Sequence, residues 1–287
     1  MKQIAVILIF FAVVFDGFVW YEIFFAGPSA HAAIHFLDVG QGDSELVVLP
    51  GNIKVMTDAG PDYSVSRSLE KVMPATDRYI DLAIVSHPQL DHFNGFNDLI
   101  HRYTFGAFIV NGRDDTPTVR EWPQLVKALH DAHIPIIILG AGDRIRVGLS
   151  SIDILSPNGA FAQSGELNDT GFVELVRTPE FRALLTADIG FSVEEWLAQS
   201  GLDIRADILK VPHHGSKTSS GSAFLSAVSP KVAVIEVGAK NRYGHPTQEA
   251  MERIASSGVQ AMLRTDRDGT VSIIGVGERR LRVYQER

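Results

Sequence analysis

The sequence predicts an α/β protein that carries its chemistry on the loops after its strands. Three observations predict it. Short apolar runs of strand length, such as Leu82 to Val85, alternate with segments whose apolar residues recur at helical spacing. One such run after another is followed by His or Asp, where an α/β sheet usually places its ligands. A content of 45% hydrophobic and 21% charged residues over 287 positions is ordinary for a packed core.

Composition also excludes several classes. The chain has no cysteine, which rules out disulfides, thiolate metal sites and a cysteine nucleophile. A net charge of −8 provides no global field for nucleic acid. An anionic substrate therefore needs local positive charge, most simply from bound metal ions.

The N-terminus is apolar. After Lys2 come twelve apolar residues, Ile4 to Phe15, then Asp16-Gly17 and a second run, Phe18 to Ala26, broken by Glu22. Residues 1–32 read either as a signal peptide, with Ala30-His31-Ala32 as its small-residue cleavage site, or as one membrane anchor from Ile4 to Ala26. Both readings place residues 33–287 outside the cytoplasm, membrane-anchored or secreted, with Lys2 inside.

From Ile34 the pattern becomes strands and turns. Ile34 to Asp38, Ser44 to Leu49 and Lys54 to Asp58 are predicted strands, with Gly40-Gln-Gly-Asp43 as the first tight turn. Tyr63 to Val72 is a predicted helix stopped by Pro74. The strand ending at Val85 then delivers Ser86-His-Pro-Gln-Leu-Asp-His92. Apolar Phe93, Phe96, Leu99 and Ile100 follow at the spacing of a short helix with one buried face.

Beyond the polar loop Asn111 to Thr118, Phe105 to Val110 and Ile134 to Leu139 read as buried strands around a helix from Trp122 to His130. Ser151 to Leu155, Gly171 to Arg177, Arg182 to Thr186, Asp207 to Val211 and Lys231 to Val237 are further strands, and Ser156 to Gly165 is a turn. Ser192-Val-Glu-Glu195 has the form of a capping box opening a helix, and Pro246 suits the first position of a helix through Ala255. Met262 to Gly275 reads as a closing hairpin turned at Asp266 to Gly269. No repeat or linker divides residues 33–287, so they form one domain.

The donors are what these strands share. His87, Asp91 and His92 arrive within six positions, Asp188 follows a second strand, His213-His214 a third and His245 a fourth. Five of the ten histidines sit in these loops, while His101, His130 and His133 fall outside any ligand spacing. Neutral imidazole with carboxylate suits zinc, manganese or iron(II).

The chain resembles the metallo-β-lactamase superfamily, whose signature is H-x-H-x-D-H with later His and Asp ligands. Within it, the nearest resemblance is to the extracytoplasmic metallo-hydrolase domain of the ComEC competence proteins. The resembling pieces are Leu37-Asp-Val-Gly-Gln-Gly-Asp43, Thr57-Asp-Ala-Gly60, Ser86 to His92, Leu184-Leu-Thr-Ala-Asp188, Leu209-Lys-Val-Pro-His-His-Gly-Ser216 and Asn241-Arg-Tyr-Gly-His-Pro246. They stand in the family's order.

The resemblance implies a four-layer αββα sandwich with a hydrolase site for one or two divalent ions, Zn²⁺ or Mn²⁺. By position His87 would serve one ion, Asp91 and His92 the other, and Asp188 both. His213 or His214, together with His245, would complete the shells, and Asp91 and Asp188 would be the catalytic carboxylates. Asp58 would orient a ligating imidazole, and Gln41 and Asp43 would lie on a loop beside the ions. Two positions depart from the pattern: Gln89 replaces the second His of the signature, and Asn168-Asp169 stand where the superfamily supplies a mid-chain His. Both departures weaken the site His87 would serve.

Paired ions suit phosphodiester hydrolysis through an activated water. Ser216, Lys217, Asn241 and Arg242 flank the ligand loops and are candidate phosphate contacts. The resemblance thus implies a phosphodiesterase or nuclease acting on DNA outside the cell, with any role in DNA uptake requiring a separate channel protein. Two alternatives are an envelope phosphoesterase of the phosphocholine-esterase type and a weakened domain that only binds DNA or an envelope partner.

Overall fold

The structure, a computed structural model, describes residues 2–25, 31–113, 119–277 and 280–287. Helix α1 (Lys2–Phe25) runs unbroken through Asp16-Gly17, and its stretch Gln3–Tyr21 is long and apolar enough to cross a membrane. Ala30 of the expected cleavage site lies outside the described residues. Ala32 is fully buried, and its N–H donates to Glu180 Oε2 at 2.7 Å, so the folded part already includes it.

Strands β1 (Ala33–Phe36), β2 (Glu45–Leu49) and β3 (Ile53–Thr57) form a meander, followed by helix α2 (Ser64–Val72) and strand β4 (Tyr79–Val85). Short helices α3 (Leu90–Phe93) and α4 (Gly95–Leu99), strand β5 (Thr104–Val110), helix α5 (Glu121–Asp131) and strand β6 (Ile136–Ile138) complete the first half. The second half begins with β7 (Arg144–Val147), β8 (Ser150–Ser156), β9 (Val173–Arg177) and β10 (Arg182–Leu185). Helix α6 (Phe191–Gln199), strand β11 (Ile208–Lys210), helix α7 (Ser222–Val228), strand β12 (Val232–Ile235) and helix α8 (Gln248–Ser256) follow. Strand β13 (Ala261–Arg264), helix α9 (Thr265–Asp268) and strands β14 (Val271–Gly275) and β15 (Leu281–Gln285) end the chain.

Among the described residues the strands make two sheets, ordered β15-β14-β1-β2-β3-β4-β5-β6 and β13-β12-β11-β10-β9-β8-β7. Three apolar layers hold them. Phe36, Val47, Ile84, Ile152, Val176 and Ile273 fill the space between the sheets. Leu69, Phe93, Phe96, Phe108 and Trp122 pack helices on the first sheet, and Val193, Leu197, Phe224, Leu225 and Ile254 pack helices on the second. Two faces buried on each sheet make an αββα sandwich. Strands β3 to β6 and β10 to β13 are parallel runs. The loops after β3, β4, β10, β11 and β12 supply the residues of the site.

Several expectations are corrected. Met262 to Gly275 is not a hairpin: β13 is an edge strand of the second sheet and β14 pairs with β1 in the first. The helical turn α9 carries the chain across, and alternation alone does not say which sheet a strand joins. Ser192 caps nothing, because helix α6 starts after Gly190, and its Glu194 instead accepts the N–H groups of Ser220 and Gly221. Helix α8 begins beyond Pro246, with Thr247 as the cap accepting from the Ala250 N–H. The expected buried strand at Ile134 to Leu139 is the edge strand β6, with Ile138 67% exposed. Strands β7 and β15 and helix α7 were not foreseen; α7 is short, but Phe224, Leu225 and Val228 bury its inner face.

Candidate metal centre

Backbone strain gathers where the strands end. Asp58 after β3, Ala187 after β10, and His213 and His214 after β11 all have positive φ, between 43° and 54°. Non-glycine residues adopt this conformation at a cost of about 1–3 kcal/mol each, which packing elsewhere must offset. The left-handed pair His213-His214 separates the two rings: His214 turns inward and is buried, while the side chain of His213 stays 28% exposed. Gly42 serves the same end by close approach. A Cβ there would lie 2.2 Å from the Asp91 carbonyl oxygen, so only glycine lets the first loop press against the His92 turn.

Five donors converge. His92 Nε2 lies 3.4 Å and His214 Nε2 3.5 Å from Asp188 Oδ2, with Asp91 Oδ2 3.7 Å from His214 Nε2. The His87 ring is 4.2 Å from that of His92, centroid to centroid. Ligand atoms of His87, His92 and Asp188 lie within 4.8 Å of one another, as do those of Asp91, His92 and His214.

The far nitrogen of each inner histidine is already engaged. His92 Nδ1 donates to Asp58 Oδ2 at 2.7 Å, and His214 Nδ1 donates to the Glu236 carbonyl at 2.8 Å. Ser86 Oγ gives its proton to Asp58 at 2.6 Å, so it accepts from His87 Nδ1 at 2.9 Å. Each Nε2 is buried without a hydrogen-bond partner, as is Asp188 Oδ1. Three imidazoles with Nδ1 anchored and Nε2 unpartnered, gathered around one carboxylate, are the donor arrangement of a metal site. The residues present therefore fit a divalent ion.

The electrostatics agree. Burial lowers His92, but Asp188 and Asp58 outweigh it and hold the imidazole well above its ordinary value. Burial lowers His214 as well, yet Asp188 and Asp43 raise it to about 10. Burial would raise Asp188, but His214 and His92 hold it well below the usual carboxylate range. The His87 imidazole drops to about 4, through burial and then His92, and keeps its lone pair free. A field this negative calls for positive charge at the nitrogens, which a divalent cation supplies.

The remaining candidates lie around this cluster. His213 Nε2 is 3.9 Å from Asp188 Oδ2, and its ring is 5.7 Å from that of His245. These two imidazoles form the rim, and His245 Nδ1 is buried and unpartnered. Gln89 Nε2 donates to Asn168 Oδ1, and Asn168 Nδ2 sits 3.4 Å from His213 Nε2, so the two departures from the signature pair with each other. Gln41 Oε1 accepts the Gly238 N–H. Ser216 Oγ is engaged with Thr218, and Asn241 spends its amide on the backbone of Gly238, Tyr243 and His245. Lys217 and Arg242 are exposed.

Sequence reasoning placed Asp43 on a loop beside the ions and missed its partner. Asp43 is fully buried in an ion pair with Lys210, whose Nζ also donates to the Ala187 carbonyl at 2.7 Å. Glu236 and Glu45 lie alongside; burial and the charge of Asp43 raise Glu236 to about 8. Charged residues inside the apolar runs Asp207 to Val211 and Lys231 to Val237 were the available signal.

The metallo-beta-lactamase superfamily model matches residues 37–238. Among curated relatives, ComE operon protein 3 of Bacillus subtilis (strain 168) is 27% identical over 261 residues, covering 85% of this chain and 33% of that protein. Competence protein ComA of Neisseria gonorrhoeae is 30% identical over 271 residues, covering 91% of this chain and 35% of that protein. The chain thus spans about a third of the length of these relatives. The solved structure of YhfI from Bacillus subtilis, a metallo-beta-lactamase fold protein, matches with TM-score 0.54 at 14% identity, covering 81% of this chain and 95% of that one. Tm1679, a metal-dependent hydrolase of the beta-lactamase superfamily, matches with TM-score 0.52 at 14% identity, covering 82% and 96%. These structures share the fold. The sequence match runs from the loop at Leu37 past His87, Asp188 and His214 to Gly238, taking in most of both sheets and the inner donors, and the chain belongs to the metallo-beta-lactamase superfamily.

Proposed function

We propose that this protein is an extracytoplasmic, metal-dependent phosphodiesterase that hydrolyses DNA. The observation that carries the reading is the set of three buried imidazoles, each anchored at Nδ1 with Nε2 unpartnered, gathered around Asp188: His92 and His214 reach its Oδ2 at 3.4 and 3.5 Å, and His87 shares a donor group with it. Competence-protein relatives support DNA as the substrate class, and the apolar helix α1 supports attachment to a membrane with the sandwich outside.

Asp91, His92, Asp188 and His214 would hold the principal ion, which when bound lowers the pKa of a water and neutralises charge on a phosphoryl oxygen. His92 has one nitrogen to give, because Asp58 takes the other. A second ion would rely on His87 and a shared Asp188, with Gln89 engaged by Asn168, so one tight site and one weak site follow. The chain's own part is to keep the donors in place: Asp58 orients His92, Ser86 orients His87, and the Glu236 carbonyl orients His214. At the rim, exposed Lys217 and Arg242 offer cations to phosphate oxygens. A role in DNA uptake would need a separate channel protein as partner.

The test is cleavage of end-labelled single-stranded DNA by the full chain in detergent, with Mn²⁺, Zn²⁺ or EDTA. Cleavage is expected with a divalent ion and is expected to disappear in EDTA and in Asp91→Ala. Folded protein that leaves DNA intact with either ion would overturn the nuclease reading and direct the search to envelope phosphoesters.

A further inference from the structure

One side of the centre opens into a cleft of about 490 Å³ that runs from Asp91 to the loop after β12. Pro61 and Leu90 line one part of it and Lys240, Arg242 and Tyr243 another. Leu90 is 41% and Tyr243 53% exposed, in a protein that buries most of its large apolar side chains in three layers. Such a volume suits a small ligand or one unit of a polymer.

The loop that presents Tyr243 is braced. Asn241 Nδ2 donates to the carbonyls of Gly238 and His245, both at 2.8 Å, and its Oδ1 accepts from the N–H groups of Tyr243 and His245. The Tyr243 ring lies nearly parallel to the His245 imidazole, at 16° and 5.9 Å between centroids. The Arg242 guanidinium carbon is 5.3 Å from the same ring centroid. An aromatic ring with a guanidinium over it, Arg242 Nη2 donating to Tyr243 Oη at 3.3 Å, is thus held at the mouth of the donor cluster.

We propose that this cleft is a nucleotide subsite: an unpaired base stacks on the Tyr243–Arg242 surface, while Lys240 and Arg242 meet the flanking phosphates. The proposal deepens the phosphodiesterase reading and rests on it for the position of the scissile phosphate near Asp188. Aromatic rings and arginine planes take unpaired bases without regard to sequence, which suits a hydrolase of DNA at large. The charge balance favours a single strand. Two local cations face the Asp62 and Asp91 carboxylates in the same cleft, and the chain carries a net charge of −8, too little positive charge to track a duplex by its phosphates.

The experiment measures fluorescein-labelled hexathymidylate on the metal-free full chain in detergent by anisotropy, so that only the chain's residues contribute. Tyr243→Ala is expected to weaken binding by about tenfold and Tyr243→Phe by less than about twofold, and a blunt duplex long enough to stay paired is expected to bind more weakly than a single strand of the same length. Melting temperatures check that the variants fold. Equal affinity of Tyr243→Ala and the parent chain overturns the subsite, as does a duplex that binds as well as the single strand. Cleavage assays separate the two ideas. Tyr243-dependent binding without cleavage by any metal would sink the phosphodiesterase and keep the subsite, whereas cleavage that Tyr243→Ala leaves untouched would do the reverse.

Discussion

Asp58 commits both carboxylate oxygens to the site's framework: Oδ1 accepts the Ser86 N–H at 2.8 Å, and Oδ2 accepts Ser86 Oγ and His92 Nδ1. It therefore sets the tautomer of His92 directly and that of His87 through Ser86. Asp58→Asn keeps the size but brings an amide that must aim one donor at another donor. Metal affinity measured by titration calorimetry is expected to fall by about 10–100-fold. The metal-free protein should also melt somewhat lower, because the opposed donors are buried, so the affinity is measured at a temperature where the variant is folded. A variant with parental affinity would show that Asp58 does not orient the ligand. Asp58 was legible in the sequence because Thr57-Asp-Ala-Gly60 is a compact local motif, whereas the relay through Ser86 exists only once β3 and β4 are paired.

At the scale of elements, β11 carries a buried cation through the middle of the second sheet. Lys210 meets Asp43 of the first loop and the Ala187 carbonyl after β10, and burial is outweighed by Asp43 and Asp188, which hold its ammonium above the ordinary value. This one side chain ties the loop of one sheet to two strand ends of the other. Removing it in Lys210→Met leaves the Asp43 carboxylate buried without its cation, so urea unfolding is expected to show a loss of about 3–5 kcal/mol. The double variant Lys210→Met/Asp43→Asn should recover much of that loss, because the orphaned charge is gone. If the double variant is no more stable than the single one, the pair is not the source of the effect.

For the whole molecule, the tie between sheets is partly polar and depends on pH. Glu174 on β9 accepts Thr57 Oγ1 of β3 across the interface, at 3.1 and 3.2 Å to its two oxygens. Burial and then the charge of Asp58 raise its carboxyl to about 8. The folded state therefore binds this proton more tightly than the unfolded chain, whose glutamate titrates near 4.5. The stability this provides is fully present below about pH 4.5 and is lost as pH rises towards about 8. Glu174→Gln keeps an acceptor for Thr57 and removes the titration. Its stability, measured by urea unfolding, is expected to fall less steeply than the parent's between pH 5 and pH 8, the difference reaching on the order of a few kcal/mol at the upper end. Parallel curves for the two proteins would show that Glu174 is ionised in the folded state.

What the sequence determined by itself is local. Donor residues immediately follow apolar strand runs, so the ligand loops, the strand-rich α/β class and the resemblance that implied the sandwich could be read from short motifs and their order. Phe93, Phe96 and Leu99 bury as their spacing predicts for the same reason. The tertiary structure decided what depends on distant partners. It sent β13 and β14 to different sheets, turned His214 inward and left His213 at the rim, and joined Lys210 to Asp43 and Glu174 to Thr57. It also brought Gln89 to Asn168 and set Tyr243 beside the donors. Strand pairing and left-handed turns depend on what packs against them, so periodicity and residue type alone do not reveal them.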